Sequence, residues 1–301
     1  MARRPVDQAT GLRQLVPSSP IRSVSITGSL GSAGATTTAI NLAAALAERH
    51  REVLVLDEFS GSNTISQRLR LPERFQLEHV LQRQIELCSL LQITAEGFAL
   101  LPFAAAPAAL ACLNDIEQRW LASEFEQLSS FADFILLDTR PSTTPGVASL
   151  SIAADDVVIV LNNRADSLTD SYASIKLLAT EHGRRDFRIL VNRVSSLAEA
   201  TALFQRLKQV ALQFLDETLT LRLIGYVPED DAIAQASRMG CSVLAAFPES
   251  EASVAFRQLA DSMLRWAAPL QPASSPAGFI HHLVESCRRR FDRYDEAQQH
   301  P

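Results

Sequence analysis

The residues richest in potential chemistry are one glycine-rich turn and two aspartates. The turn reads Gly28-Ser-Leu-Gly-Ser-Ala-Gly-Ala-Thr-Thr-Thr38 and links an apolar run at 24–27 to a helical pattern over 36–48. A turn that opens directly into a helix offers backbone N–H groups and a positive helix end, which together cradle phosphate. Asp57 ends the next apolar run, 53–56, and Asp138 ends another, 134–137. Taken alone, the turn is equally a glycine- and serine-rich connection that never held a nucleotide. The two aspartates at these places favour descent from a phosphate loop, without speaking for present activity.

The elements that must position these residues are legible from periodicity. Further apolar, strand-like runs lie at 99–101, 157–161, 188–191 and 223–226, and helical patterns separate them, including 168–180 and 197–214. Strands this apolar, alternating with amphipathic helices, predict an α/β fold: a mostly parallel central sheet with helices on both faces. Ligands of such sheets sit beyond the carboxyl ends of the strands, which gathers the turn, Asp57 and Asp138 around one crevice. Strand order is not readable from periodicity.

Composition sets the outer bounds. The chain has 301 residues, 47% hydrophobic and 21% charged, as expected of a globular protein. A formal net charge of -6 speaks against general attraction to nucleic acid. Cys88, Cys112, Cys241 and Cys287 are scattered without metal-ligand spacing, so they read as reduced thiols in a cytoplasmic protein. No apolar run reaches the roughly 20 residues of a membrane-spanning helix. The chain contains two lysines, Lys176 and Lys208, neither of them near the turn.

The turn resembles the deviant Walker motif of the MinD/ParA family, KGGVGKT, laid over residues 30–36. The resemblance implies a P-loop NTPase fold that binds ATP or ADP with magnesium. Gly31 and Gly34 match the motif, Thr37 follows it, and Thr36 takes the place of the magnesium-binding hydroxyl, with Asp57 as a second expected magnesium ligand. Both motif lysines are replaced, by Leu30 and Ala35. A charged hydrogen bond contributes about 1.5–3 kcal/mol, so losing two weakens triphosphate binding by roughly 10²–10⁴-fold. The family's Asp-x-Asp aligns with Asp57-Glu-Phe59, putting Phe59 where the water-orienting carboxylate belongs. Glu58 is one residue off and in an extended segment points to the other side. Asp138 matches the Walker B aspartate. Asn192 matches the residue that contacts the base, and Pro228 lies in a stretch, Gly225-Tyr-Val-Pro-Glu-Asp, similar to the family's GxxPxD loop.

Near the start, Asp7-Gln-Ala-Thr-Gly-Leu-Arg-Gln-Leu15 is similar to the DQAxGLRxL motif of the FlhG/FleN branch. That resemblance implies that Asp7, Gln8, Gly11, Leu12 and Arg13 contact an FlhF-like GTPase. After a linker-like stretch (Gln-Pro-Ala-Ser-Ser-Pro-Ala-Gly), residues 279–294 form an amphipathic pattern. Phe279, Ile280, Leu283, Val284 and Phe291 share its apolar face, and Arg288, Arg289, Arg290 and Arg293 lie around the rest. Such a helix suits an anionic membrane surface, or else packs on its own domain.

These readings divide the chain into a partner-contacting segment at 1–20, a P-loop domain at 21–268, and a linker with amphipathic helix at 269–301. They predict an FlhG/FleN-like regulator of flagellar number or placement with little or no ATP hydrolysis. Its expected partners are an FlhF-like GTPase, a flagellar switch or transcription regulator, an anionic membrane and a second copy in a homodimer, but no specific nucleic acid. Two alternatives stand: a weak but active dimeric ATPase that uses Arg22 or another arginine in place of lysine, and a ParA-like positioner of cargo or DNA.

Overall fold

The computed structural model describes residues 21–29, 33–61, 64–72, 75–104, 107–141, 150–215, 218–267 and 276–299. Its centre is an eight-stranded sheet: β1 (Arg22–Gly28), β2 (Val53–Asp57), β3 (Gln92–Ile93), β4 (Ala99–Pro102), β5 (Phe134–Asp138), β6 (Asp156–Leu161), β7 (Asp186–Val194) and β8 (Thr220–Pro228). The spatial order is β3-β4-β2-β5-β1-β6-β7-β8. Every pairing is parallel except the short antiparallel β3–β4 pair. This is the α/β architecture expected, and it adds the strand order that periodicity could not reveal.

Helices cover both faces because successive strand residues point to opposite sides. One face carries Val24, Ile26, Val53, Val55, Leu136, Val158 and Val160, packed under α1 (Ala35–Ala47) and three later helices. The opposite face splits in two. Leu54, Leu56, Leu101, Ile135 and Leu137 belong to one cluster, whereas Val157, Ile159, Phe187 and Ile189 belong to another. In chain order the remaining helices are α2 (Ile65–Arg68), α3 (Leu77–Leu81), α4 (Pro107–Ala111), α5 (Asp115–Ser129), α6 (Ala165–His182), α7 (Leu197–Phe214), α8 (Asp231–Met239), α9 (Val243–Ala246), α10 (Glu251–Met263) and α11 (Pro276–Gln299). Helices α8 to α10 share the first face with α1; α3, α4, α5 and α11 lie over the β2–β4–β5 half of the other, and α6 and α7 over its β6–β8 half.

Local sequence explains several helix starts. Asn114 opens α5 by accepting from the N–H groups of Ile116 and Glu117, and Glu117 returns a bond to the Asn114 N–H. Ser196 caps α7 and Ser250 caps α10 through the same kind of hydroxyl bond. Helix α1 has no side-chain cap; it starts from Gly34 in the left-handed conformation. Its N–H groups therefore point at the loop without a side chain of the cap residue in the way.

Candidate functional site

The crevice lies at the carboxyl ends of the parallel strands β1, β2, β5, β7 and β8. Gly28 ends β1, and a Cβ there would stand 2.8 Å from the Ala33 side chain and 3.0 Å from the Val160 carbonyl, so glycine lets the loop close over β6. Gly34 has φ +87°, and a Cβ on it would sit 2.5 Å from Asn192 Nδ2. Asn192 donates from that nitrogen to the Ala33 carbonyl at 2.7 Å. The side chain expected at the base thus ties the end of the phosphate loop to β7. Pro228, at the end of β8, lies beside it: Asn192 pairs with Val227 and Val194 with Pro228.

Asp57 and Asp138 are register partners on β2 and β5, and both are buried. Their situations differ. Asp57 accepts from the Phe59 N–H at 2.9 Å and the Ile65 N–H at 2.7 Å, so its oxygens already organise the turn into α2. Neither oxygen of Asp138 has a hydrogen-bond partner. Burial first, then the charge of Asp57, pushes the Asp138 carboxyl well above the ordinary carboxylate range; the Thr36 hydroxyl and the Arg68 guanidinium oppose this only in part. Thr36, Asp57 and Asp138 thus come together at the carboxyl ends of β2 and β5 and the start of α1.

The Glu58 carboxylate is engaged beside the crevice: its Oε2 accepts from the Arg140 N–H at 2.9 Å, while Arg140 Nη2 donates to the Glu58 carbonyl at 3.1 Å. Phe59 lines a cleft of about 330 Å³ with Asp57, Thr64, Phe75 and Arg140. No carboxylate from residue 59 faces that space. Arg22 is at the other end of β1 from Gly28 and ion-pairs with Asp156 at 2.6 Å, so it does not stand in for a loop lysine. Lys176 and Lys208 fall in α6 and α7, on the opposite face of the sheet from α1.

Sequence reasoning missed the arginine beside the start of α1. Arg68, from the four-residue helix α2, donates through Nη1 to Thr37 Oγ1 at 3.0 Å. It lies 31 positions from Thr37, in no motif, and nothing in the sequence marks it. Asp7, Gln8, Gly11, Leu12, Arg13 and Gly31 lie outside the described residues, as does the side chain of Phe291.

The face of α11 expected to meet a membrane is a packing face here. Phe279, Ile280, Leu283, Val284 and Cys287 are all buried in one cluster with α4 and α5. The Phe279 ring stacks on Phe125, with centroids 5.4 Å apart. Gln118 bonds His281 at 2.6 Å, and Arg288 reaches the Leu113 carbonyl and Asp115. The physical reason is that α5 presents its own apolar stripe, which the same amphipathic face fits. This packing alternative, not an uncovered face, is what the structure holds. Among the described residues no helix is long and apolar enough to cross a membrane.

Comparisons with known proteins agree with this geometry. The AAA domain family matches residues 21–182. The antiactivator FleN of Pseudomonas aeruginosa is 31% identical over 274 residues, spanning 91% of this chain and 97% of that protein. The chain belongs to the FlhG/FleN branch of the MinD/ParA family. The flagellum site-determining protein YlxH of Helicobacter pylori is 24% identical over 188 residues, 62% of this chain and 63% of that one. Among solved structures, the septum site-determining protein MinD of Pyrococcus horikoshii, complexed with Mg-ADP, superposes with a TM-score of 0.59 at 23% identity. That match covers 81% of this chain and 96% of the other, and it supports the P-loop fold of the family.

The residues present fit a magnesium nucleotide in part. Thr36 and the unpartnered Asp138 suit the cation, and the start of α1 suits phosphate. Bound magnesium would offset phosphate charge. The loop has no lysine to do so, and no carboxylate at residue 59 to orient water.

Proposed function

We propose that this chain is a regulator of flagellar number or placement that acts through protein contacts, with a nucleotide site that binds weakly and hydrolyses little. The observation that carries the second half is the crevice itself. It keeps Thr36, Asp57 and Asp138 together, but Leu30 and Ala35 replace both motif lysines and Phe59 replaces the catalytic carboxylate. The full-length likeness to FleN supports the regulatory half, together with the resemblance of residues 7–15 to the motif that engages an FlhF-like GTPase. Membrane contact through α11 would require that helix to leave α4 and α5 first, exposing Phe279, Ile280, Leu283 and Val284. A homodimer over the crevice, and contact with a flagellar switch or transcription regulator, belong to the same reading.

The test is a GTP-hydrolysis assay of an FlhF-like GTPase with the full chain and with a variant lacking residues 1–20, alongside phosphate release from MgATP by the chain alone. Stimulation that disappears with residues 1–20, and ATP turnover near background, is the expected result. Unchanged stimulation by the shortened chain would remove the partner assignment. Rapid ATP turnover lost on Asp57→Ala would replace the weak site with an active ATPase.

A further inference from the structure

The site described above has an anion cradle and a cation seat, yet its loop has no positive side chain to balance a phosphate chain. Arg68 brings an arginine to the start of α1. Its Nη1 donates to Thr37 Oγ1, in the first turn of a 13-residue helix whose N–H groups open toward the loop. Helix α2 is held in position from two directions. Thr64 accepts from the Gln67 N–H, and Asp57 accepts from the Ile65 N–H, so the same carboxylate that borders the crevice fixes the helix that carries Arg68. Arg68 is half-buried, and its guanidinium is close enough to draw down the Asp138 carboxyl.

A second observation points to a ligand. Asp138 is completely buried at the floor of the crevice, and both of its oxygens lack a hydrogen-bond partner. A buried carboxylate in that state is costly unless a cation or proton meets it. The start of α1, the Arg68 guanidinium and the unsatisfied Asp138 carboxylate match the charge pattern of a magnesium polyphosphate: Arg68 and α1 would hold its phosphate oxygens, and Thr36 and Asp138 its metal ion.

We propose that Arg68 takes over the phosphate-gripping role of the missing loop lysine, so that the crevice holds a magnesium-bound polyphosphate ester without turning it over. This rests on the reading of a weak, non-hydrolysing nucleotide site and names the residue that keeps binding alive. Guanidinium suits the task, because its planar fork holds two phosphate oxygens at once. Arg68 reaches the loop from another segment of the chain, so the charge is restored in space though not in the motif.

The experiment is calorimetric titration of MgATP, MgADP and magnesium tripolyphosphate into the full chain and into Arg68→Ala, Arg68→Gln and Arg68→Lys, with circular dichroism to confirm folding. The expected result is a loss of about 10–150-fold in MgATP affinity for Ala and Gln, the worth of one charged hydrogen bond, and a smaller loss for Lys. A lysine placed in the loop by Ala35→Lys restores affinity to Arg68→Ala, which a merely structural role for Arg68 would not allow. Tripolyphosphate binding as tight as MgATP would assign the grip to the phosphate chain alone; tighter MgATP would add the base. Should Arg68→Ala not fold, the contrast between Gln and Lys carries the same decision. Wild-type binding with an unaltered affinity in Arg68→Gln overturns the role of Arg68 only. Absence of binding by the wild-type chain overturns the nucleotide-site reading as well.

Discussion

The two ends of the sheet bury carboxylates in opposite ways. At the amino ends of β1, β6 and β7, Asp156 receives Arg22 Nε at 2.6 Å on one oxygen and Arg188 Nε at 2.8 Å on the other. Both guanidinium groups also lie over the Trp266 ring, 5.2 and 3.8 Å from its centroid, and Arg22 donates to the Trp266 carbonyl at 3.1 Å. At the carboxyl ends, Asp138 is as deeply buried and has no partner. A carboxylate whose oxygens are both engaged by fixed cations is scaffold: it clamps the end of α10 to the sheet. One whose oxygens are left open is costly to keep charged until a proton or a cation meets it. The contrast sets a paired buried carboxylate against an unpaired one within one molecule.

The largest test of this contrast is Asp156→Ala. It leaves two buried guanidinium groups without their shared carboxylate, and urea unfolding should show a loss of about 3–5 kcal/mol. A loss below about 1 kcal/mol would mean that Trp266 and solvent carry the arginines, and the clamp would be misnamed.

Asp138→Asn should act in the other direction. The folded state holds the Asp138 proton more tightly than the unfolded state does, so the stability from this group is complete below the ordinary carboxylate pKa and is lost as pH rises through the raised value. In metal-free buffer the Asn variant should match wild type near pH 4 and exceed it at neutral pH, by about 1–3 kcal/mol for an unsatisfied buried group. Unfolding curves at several pH values check this, and parallel profiles would show that Asp138 is already satisfied in solution.

The smallest expected effect is Gly34→Ala. A left-handed alanine costs about 1–2 kcal/mol, and the added Cβ pushes on Asn192 Nδ2, which loosens its bond to Ala33. Thermal unfolding reads the first part, and a weaker response of the variant to MgATP reads the second.

Much of this was legible beforehand, for identifiable reasons. Gly28, Asp57 and Asp138 sit where an apolar run stops, Gly34 and Thr36 stand where the following helix begins, and a strand end beside a glycine turn is a local signal. The sheet order was not legible, because β5 inserts between β2 and β1 through pairing between residues some 80 to 110 positions apart. Arg68 was invisible for a related reason: its value comes from meeting Thr37 across space, and a four-residue helix has no periodicity to announce it. The direction of Asn192 depended on a loop carbonyl rather than on its own neighbours. Helix α11 shows a different limit. Its apolar stripe fits a lipid surface and the stripe of α5 equally well, and only the fold decides between them.

The open margins of the sheet carry a further meaning. On one side the last strand, β3, spans only two residues; on the other, β8 meets β7 with register shifts at Ile189/Leu190 and Asn192/Val194. A short margin and a kinked one are poor templates for the backbone of another molecule, so stacking of sheets edge to edge is discouraged at both sides. Growth of the sheet from chain to chain is thereby disfavoured, which leaves side-chain surfaces rather than strand backbones as the route to association.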